Sequence, residues 1–498
     1  MKTVRSASRT IAVWLLLFAL LFVFAGCFAS PASTTAGTTD PAVTEGVTEG
    51  ETAAETTGEN EPAAPSPLIA LLSENEEIPA FKPKALERMH LYYSRYYIRE
   101  IGTDEEMAAA IADFYLTYHD LIDETDEDEV TDLLCECYLS AAGDKYAYYM
   151  NPEALAEHNS DMAGTYVGIG VQVTNDAVAR RITVTAVFPD TPAYDAGVLA
   201  GDTIEGVGDT SADEITFAEL VNRIRGQEGT EVTVTFARNG EPYTRTMTRR
   251  TVIQVTASGK LLPGSPKIGL ISITEFDDST FPQFKAALDA LLDADGDGLD
   301  EDGDGKTDPD IDGLVFDVRN NPGGYLSAIL HVLDYMMPDG TPLANYEYYN
   351  GQIEYDAAHD GFAVLPADLP IAVICNEHTA SAGELFTCAM QDYGREGLLD
   401  VTVVGVVTYG KGTMQTQVYL TKGPDQDGSD DATRATTISF ALYNPPYSEN
   451  YEGVGIIPDL VVELSEEAKQ KSIYVLTEEE DVQKAAALAS VTERAVGE

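Results

Sequence analysis

Basic residues are scarce in this sequence. Its 498 residues include 30 lysines and arginines against 84 aspartates and glutamates, which gives a formal net charge of −54 at pH 7. Because such a chain repels phosphates, the composition argues against nucleic acid as a partner. Acidity of this size also keeps a protein soluble, so the charge alone identifies no other partner.

Cysteine is also rare, with five in the whole chain. Cys135 and Cys137 are too close together for a relaxed disulfide on a helix, and Cys375 and Cys388 lie in apolar stretches. The sequence therefore contains neither a disulfide framework nor the spacing of a zinc site. A chain of this length should instead bury hydrophobic cores in two or three domains.

The first residues predict export. Basic residues precede the apolar run IAVWLLLFALLFVF, which is short for a membrane-spanning helix. The small residues Ala25 and Gly26 before Cys27 resemble the lipobox of a bacterial lipoprotein, although Phe24 stands where that pattern usually has Leu, Val or Ile. The resemblance implies a lipoprotein-type signal peptide at residues 1–27, with Cys27 lipidated and the chain anchored to the membrane outside the cytoplasm. A plain signal peptide or an uncleaved anchor is the alternative.

Composition and periodicity divide the rest of the chain into five stretches. Few aromatic residues, with many Thr, Glu and Pro, predict a disordered tether, and apolar spacings of three and four predict helices. Short alternating runs with glycine turns predict a small β domain. The predicted stretches are a tether at 28–78, a helical region at 79–160, a β domain at 161–250, an α/β region at 251–474, and a C-terminal helix and tail at 475–498.

The β domain resembles a PDZ domain. The resemblance is carried by GTYVGIGVQV, PDTPAYDAGVLAGDTIEGVGD and RIRGQEGTEVTVTFARNG, in that order. Glycines allow backbone N–H groups to form a concave nest for a carboxylate, and the strand that follows offers an edge for an extended peptide. We therefore predict that Val167, Gly168, Ile169 and Gly170 bind the C-terminus of a peptide substrate.

The α/β region alternates buried strands with helices. The runs KIGLISITEF, DGLVFDVRNN, LPIAVICNE and VTVVGVV have strand character, and amphipathic helical patterns lie between them. This order predicts an α/β layer fold with a mostly parallel sheet. Ser381 follows the run PIAVIC and begins the next helix.

Two other segments contain groups that Ser381 would need in order to act as a nucleophile. A hydroxyl needs a neighbouring base, and a helix N-terminus supplies N–H groups that stabilise a developing oxyanion. Lys411 lies between glycines after an apolar strand, where burial would lower the pKa of its amine and make it a general base. The Gly-Gly turn in FDVRNNPGGYL lets backbone N–H groups approach a substrate carbonyl closely.

Together these segments resemble the carboxyl-terminal processing peptidases, the S41 family of serine proteases. The resemblance rests on DVRNNPGG, NEHTASAGELF and TYGKGTMQ after a PDZ-like segment, and on AGDKYAYYMNPE before it, and it covers roughly residues 80–470. It implies an α/β protease core like the ClpP and crotonase sheets, with an inserted PDZ-like β domain and a helical N-terminal segment. It also implies that catalysis needs no cofactor.

The resemblance implies roles for five residues in particular. These are Ser381 as nucleophile, Lys411 as general base, Gln415 as the polar residue that orients the lysine about one helical turn away, and the N–H groups of Gly324 and Ala382 as the oxyanion hole. His378 is an alternative base, although a residue three positions before the serine cannot easily face the hydroxyl while Ser381 starts a helix.

The predicted function is an exported serine endopeptidase that cleaves extended proteins, or proteins with exposed C-termini, with a Ser-Lys dyad. One alternative is a surface scaffold that binds peptide C-termini through its PDZ domain without catalysis. A second is a calcium-dependent adhesion protein. The oligomeric state stays open, a homo-oligomer included.

An acidic insertion, DADGDGLDEDGDGKTDPDID, occupies residues 293–312. Asp293, Asp295 and Asp297 match the first half of an EF-hand loop, but Asp304 stands where that loop has its bidentate glutamate. The repeated pattern resembles the short calcium repeats of secreted proteins. We predict one or two structural calcium ions, and a solvated acidic loop is the alternative.

Overall fold

The fold is known from a computed structural model. It describes residues 66–162, 165–176, 181–294, 309–359, 364–422 and 433–497. Within these ranges no helix has both the length and the apolar character needed to cross a membrane. The predicted signal peptide, Cys27 and most of the predicted tether lie outside the described residues.

The N-terminal region is helical, as the spacing of its apolar residues predicts. Its elements are α1 (Pro67–Ser73), α2 (Pro83–Tyr96), α3 (Asp104–Tyr118), α4 (Glu127–Ala142), the short strand β1 (Tyr149–Met150) and α5 (Pro152–Met162). Local sequence fixes the start of α3, because Thr103 and Glu106 exchange side-chain to backbone hydrogen bonds in a capping box. Tyr93, Tyr115 and Tyr138 are buried between these helices.

Helix α1 corrects the prediction of a disordered tether that reaches residue 78. Leu68, Ile69 and Leu72 are almost completely buried in the core of the N-terminal region. The Ser66 hydroxyl accepts a hydrogen bond from the N–H of Ile69 and caps the helix. The short apolar run PLIALLS therefore buries enough surface to order itself against its neighbours, although the composition before it is that of a tether.

The PDZ-like domain is a small β structure with two helices. Its elements are β2 (Thr165–Gly168), β3 (Val171–Asp176), β4 (Arg181–Val187), α6 (Pro192–Asp195), β5 (Thr203–Val207), β6 (Thr210–Ser211), α7 (Phe217–Ile224), β7 (Glu231–Arg238), β8 (Glu241–Thr248) and β9 (Arg250–Ile253). The main sheet has the order β3-β4-β5-β7-β8, with β6 paired to β5, and β2 pairs with β9. Strand β3 therefore lies at an edge of the sheet.

The remaining elements form the α/β core and end with a C-terminal helix. They are β10 (Ala257–Leu261), β11 (Ile268–Ile273), α8 (Thr280–Leu292), β12 (Gly313–Asp317), α9 (Leu326–Met336), β13 (Pro342–Tyr348), β14 (Ile353–Ala357), β15 (Pro370–Cys375), α10 (Ala382–Arg395), β16 (Asp400–Gly405), β17 (Thr413–Thr421), β18 (Arg434–Asn444), β19 (Leu460–Val461) and α11 (Val482–Ala495).

The central sheet confirms the predicted mostly parallel α/β layer. Its order is β10-β11-β12-β15-β16-β19, and every pair is parallel except β10 with β11. In β15, Ile371 and Val373 belong to the core shared with α8, α9 and α10, whereas Ala372 and Ile374 belong to the core shared with α11. A strand that is covered on both faces consists of consecutive apolar residues, which explains why PIAVIC is apolar throughout.

The sequence did not predict a second, antiparallel sheet. Its order is β1-β18-β13-β14, and β17 also pairs with β18. Val418, Leu420 and Ile438 of this sheet belong to the same core as the N-terminal helices. The segment between the end of β16 and the start of β17 connects the two sheets, and Lys411 lies in this segment.

Candidate active site

Ser381 occupies a strained turn between β15 and α10. Its φ of 55° and ψ of −122° lie in a region that residues other than glycine rarely adopt, and such a conformation costs about 1–3 kcal/mol. The Thr379 hydroxyl donates to the Val318 carbonyl at 2.8 Å and fixes the turn to β12. The serine is completely buried, directly before the first helical residue, as the sequence predicts.

One carboxylate joins the serine turn to the lysine segment. Glu384 Oε2 accepts hydrogen bonds from the N–H of Ser381 at 2.9 Å and from the N–H of Lys411 at 2.8 Å. Glu384 Oε1 accepts from the Thr408 hydroxyl and from the N–H of Gly410, both at 2.6 Å. The backbones of the predicted nucleophile and the predicted base therefore meet at a single oxygen atom.

Sequence reasoning missed Glu384. It is completely buried, and this burial raises the pKa of its carboxyl group, although its four hydrogen bonds lower the pKa in part. The sequence does contain a signal for its role, because Glu384 is a charged residue within the otherwise apolar start of the helix SAGELF. A buried carboxylate requires several donors, and those donors had to come from elsewhere in the chain.

Lys411 is completely buried, and its amine donates to Gln415 Oε1 at 2.9 Å. The predicted contact between these two side chains is present, but the helical spacing assumed for it is wrong. Gln415 lies on strand β17, where the pairing with β18 shifts register between Met414 and Gln415. A bulge of this kind turns a side chain toward a different face of the sheet.

The ring of Tyr146 also faces the lysine. Lys411 Nζ lies 5.2 Å from the centre of this ring, and the Tyr146 hydroxyl donates to the Gly410 carbonyl at 3.2 Å. Tyr146 belongs to the quoted segment AGDKYAYYMNPE, but nothing in the spacing of that segment predicts a contact with residue 411. The N-terminal region thus contributes to the surroundings of the predicted base.

The Gly-Gly turn after β12 lies against Ser381. A β-carbon on Gly323 would be 2.6 Å from the β-carbon of Ser381, and one on Gly324 would be 2.0 Å from the carbonyl oxygen of Phe276. Both glycines have positive φ angles, 111° and 134°. Only glycine fits these two positions, so backbone rather than side chain lies next to the serine.

Asn321 holds the turn in this position through its carbonyl and its side chain. The N–H of Ala380 donates to the Asn321 carbonyl at 2.9 Å, and the Asn321 side chain accepts from the N–H of Gly323 at 2.9 Å. Ala382 is the first residue of α10, where N–H groups have no partner within the helix. The structure thus places Gly323, the neighbour of the predicted donor Gly324, against both Ser381 and the N–H of the other predicted donor, Ala382.

His378 does not share this environment. It is exposed, whereas Ser381 is buried, and its backbone N–H donates to the Asn376 side chain at 3.2 Å. The structure therefore gives no support to the alternative in which this histidine is the base.

The predicted peptide-binding loop joins β2 to β3. Val167 and Gly168 end β2, and the carbonyl of Ile169 accepts a hydrogen bond from the N–H of Ala193 at 2.8 Å. Gly170 has a φ of 80°, and a β-carbon there would lie 2.2 Å from a side-chain atom of Thr191. The loop leads into β3, which has one neighbour among the described strands of its sheet.

The predicted calcium site lies almost wholly outside the described residues, which include Asp293 but not Asp295, Asp297 or Asp304. Among the described residues, no group of three or more His, Cys, Asp and Glu side chains could hold a metal ion. Calcium binding to this loop stays a prediction, which titration calorimetry at millimolar calcium would check.

Comparison with known proteins identifies two domains in this chain. Residues 267–462 match the model of peptidase family S41, and residues 183–238 match that of the PDZ domain. A carboxy-terminal-processing protease of Bartonella bacilliformis is 31% identical over 343 residues, which are 68% of this chain and 71% of that protein. A probable CtpA-like serine protease of Staphylococcus saprophyticus is 27% identical over 68% of this chain and 62% of its own length.

Among solved structures, a photosystem II D1 C-terminal processing protease is 22% identical, with a TM-score of 0.44, and the similarity covers 77% of this chain and 94% of that one. The two domain matches and the relative of 31% identity establish the assignment. The chain belongs to the carboxy-terminal-processing proteases, serine-type peptidases of family S41 that act without a catalytic cofactor, and it carries a PDZ domain.

Proposed function

We propose that this protein is an exported endopeptidase that cleaves extended or C-terminally exposed proteins with Ser381 as nucleophile and Lys411 as general base. The observation that carries the proposal is the shared carboxylate of Glu384, which ties the backbones of Ser381 and Lys411 together. The intact set of Ser381, Lys411 and Gln415 argues against a scaffold without catalysis.

The reaction begins with proton transfer. Burial away from solvent favours the neutral amine of Lys411, which takes the proton of the Ser381 hydroxyl as the oxygen attacks the peptide carbonyl. The N–H groups of Gly324 and Ala382 stabilise the oxyanion of the tetrahedral intermediate. Lys411 then gives its proton to the leaving amine, and an ester with Ser381 remains.

Water completes the cycle. Lys411 takes a proton from a water molecule that attacks the ester. The second tetrahedral intermediate then collapses as Lys411 gives this proton to the departing Ser381 oxygen, which releases the new C-terminal carboxyl group and restores the free enzyme. Gln415 accepts a hydrogen bond from the lysine amine and keeps it aimed at the serine. Because Ser381 and Lys411 are both inaccessible to solvent, the segments around them must open before a peptide enters.

A serine-directed fluorophosphonate probe tests this assignment. We expect the full-length protein to form one covalent adduct, which peptide mapping by mass spectrometry places on Ser381, and the Ser381→Ala variant to form none. Ser448 is a useful internal control. It is also a serine close to the core, but its hydroxyl donates a hydrogen bond to the Asp392 carboxylate. An adduct at Ser448, or undiminished labelling of Ser381→Ala, contradicts the proposal.

The substrate class follows from the PDZ loop and the edge strand β3. A peptide that adds to β3 would place its C-terminal carboxylate near residues 167–170, where backbone N–H groups can bind it. Amidation of the C-terminus of a test peptide should therefore raise its KM or slow its cleavage. The comparison needs peptides that differ only in this group, and equal kinetics for both would refute the role of the loop.

The cellular location is also part of the proposal. Its support is the sequence of residues 1–27, which predicts an exported chain held to the membrane through a lipid on Cys27. Membrane fractionation of cells that express the wild type or Cys27→Ser would test the anchor, because the serine variant has no thiol to acylate.

A further inference from the structure

Two lysines share the ring of Tyr146. Lys145 Nζ lies 4.4 Å from the ring centre, and Lys411 Nζ lies 5.2 Å from the same centre. The separation of the two nitrogens therefore cannot exceed the two distances taken together. This upper limit is close to the Debye length, about 8 Å at physiological salt, so salt does not fully screen the charge of one amine from the other.

The ring is fixed to the segment that carries Lys411. The single hydrogen of the Tyr146 hydroxyl is shared between Glu452 Oε1 at 2.8 Å and the Gly410 carbonyl at 3.2 Å. The other oxygen of Glu452 accepts from the N–H of Gly412 at 2.9 Å. Contacts on both sides of Lys411 thus hold Tyr146 in place, and the neighbouring Lys145 is held with it.

Among the described residues, several charged groups contact Lys145 or the segment that carries Lys411. At the rim, Glu452 lies 3.1 Å from Lys145 and 3.8 Å from Arg99, which leaves these three groups with one net positive charge. The carboxylate of Glu384 accepts a hydrogen bond from the backbone N–H of Lys411.

Three further titratable groups belong to these segments or contact them. The Tyr409 phenol has a pKa raised by burial and then by Glu452 and Glu384, and burial together with Glu452 also raises the pKa of Tyr146, so both stay neutral near pH 7. The Asp144 carboxylate accepts hydrogen bonds from the hydroxyls of Ser439 and Tyr93.

We propose that Lys145 is a positioning residue that acts through its charge: it keeps the Lys411 amine neutral by placing a positive charge against the same Tyr146 ring. This inference rests on the proposed role of Lys411 as the general base. Lys145 is half exposed and touches no reacting atom, so it acts only through Lys411. A positive charge at this distance disfavours a second one on Lys411, and the base is then available at lower pH.

The test is the rate of labelling of Ser381 by the fluorophosphonate probe as a function of pH. Lys145→Glu changes the charge at the rim by two units, and we expect the acidic limb of the profile to move up by about 0.5 to 1 pH unit. Lys145→Met should move it by about half as much, and Lys145→Arg should leave it in place. In 1 M salt the shift should shrink, since the Debye length falls to about 3 Å.

Two controls keep the result specific. Lys469→Glu reverses the charge of another surface lysine paired with two carboxylates, and it should not move the limb. The limb should also move strongly with temperature, because deprotonation of an ammonium group absorbs much heat and that of the Glu384 carboxyl group little.

An unmoved limb in Lys145→Glu, an equal shift in Lys469→Glu, or a limb that is insensitive to temperature overturns the proposal. Failure of the wild type to label at Ser381 would refute the proposed nucleophile and this inference together. Normal labelling of the wild type with an unmoved limb refutes this inference alone.

Discussion

Replacement of Lys411 by methionine is expected to reduce peptide cleavage by about 10²- to 10⁴-fold, the contribution of a positioned general base. Methionine has nearly the same length and fills the buried space, but it has no nitrogen to take the proton of Ser381. The Gln415 side chain would also lose its hydrogen-bond donor. Steady-state cleavage of a fluorogenic peptide, compared with Ser381→Ala, which should be inactive, measures the effect.

The arginine variant makes this prediction sharper. Lys411→Arg retains a positive charge, but guanidinium does not lose its proton in proteins, so this variant should be as inactive as the methionine one. Lys469→Met, on the surface, should cleave at the wild-type rate. Wild-type turnover by either Lys411 variant, in protein with an unchanged circular dichroism spectrum, would exclude lysine as the base.

Replacement of Glu384 by alanine is expected to abolish activity and to destabilise the core by several kcal/mol. Four donors, the N–H groups of Ser381, Gly410 and Lys411 and the hydroxyl of Thr408, would lose their acceptor, at about 1–3 kcal/mol for each buried donor that finds no other partner. The positive φ of Ser381 would also lose the contact that maintains it. Thermal unfolding and probe labelling measure the two effects separately.

Glu384→Gln separates position from charge. The amide keeps the size of the side chain, but one of its two ends becomes a donor and faces two other donors. We expect a smaller loss of stability than in the alanine variant, and labelling of Ser381 slower by at least about tenfold. Glu377→Gln, an exposed glutamate four residues before Ser381, is the matched control and should behave as wild type. Full activity of Glu384→Ala would show that the turn at Ser381 keeps its conformation without the Glu384 carboxylate.

The predicted site residues came from short segments in which local sequence decides local structure. PIAVIC is a buried strand, SAGELF begins a helix, and two glycines form a turn at residues 323–324. Each of these features follows from apolar periodicity or from the conformational freedom of glycine. The approximate places of Ser381, Lys411 and Gly324 were therefore available from the sequence.

The errors came from features that depend on partners far along the chain. The antiparallel sheet that contains Gln415 pairs residues 413–421 with 434–442 and also pairs 149–150 with 435–436. Helix α1 is ordered by contacts with helices that follow it, and composition within a short window contains no record of them. Side chains such as Tyr146 and Glu384 gain their roles from the same kind of contact.

The sequence by itself determined the α/β core, the PDZ domain and the nucleophile turn, because hydrophobic pattern and glycine positions act within a few residues. Only the tertiary structure decided how Ser381 and Lys411 meet, which carboxylate joins them and which aromatic ring covers the amine. The physical reason is that a buried charge must find its hydrogen-bond donors wherever the fold brings them, and the distance between those donors along the chain is not constrained by any local rule.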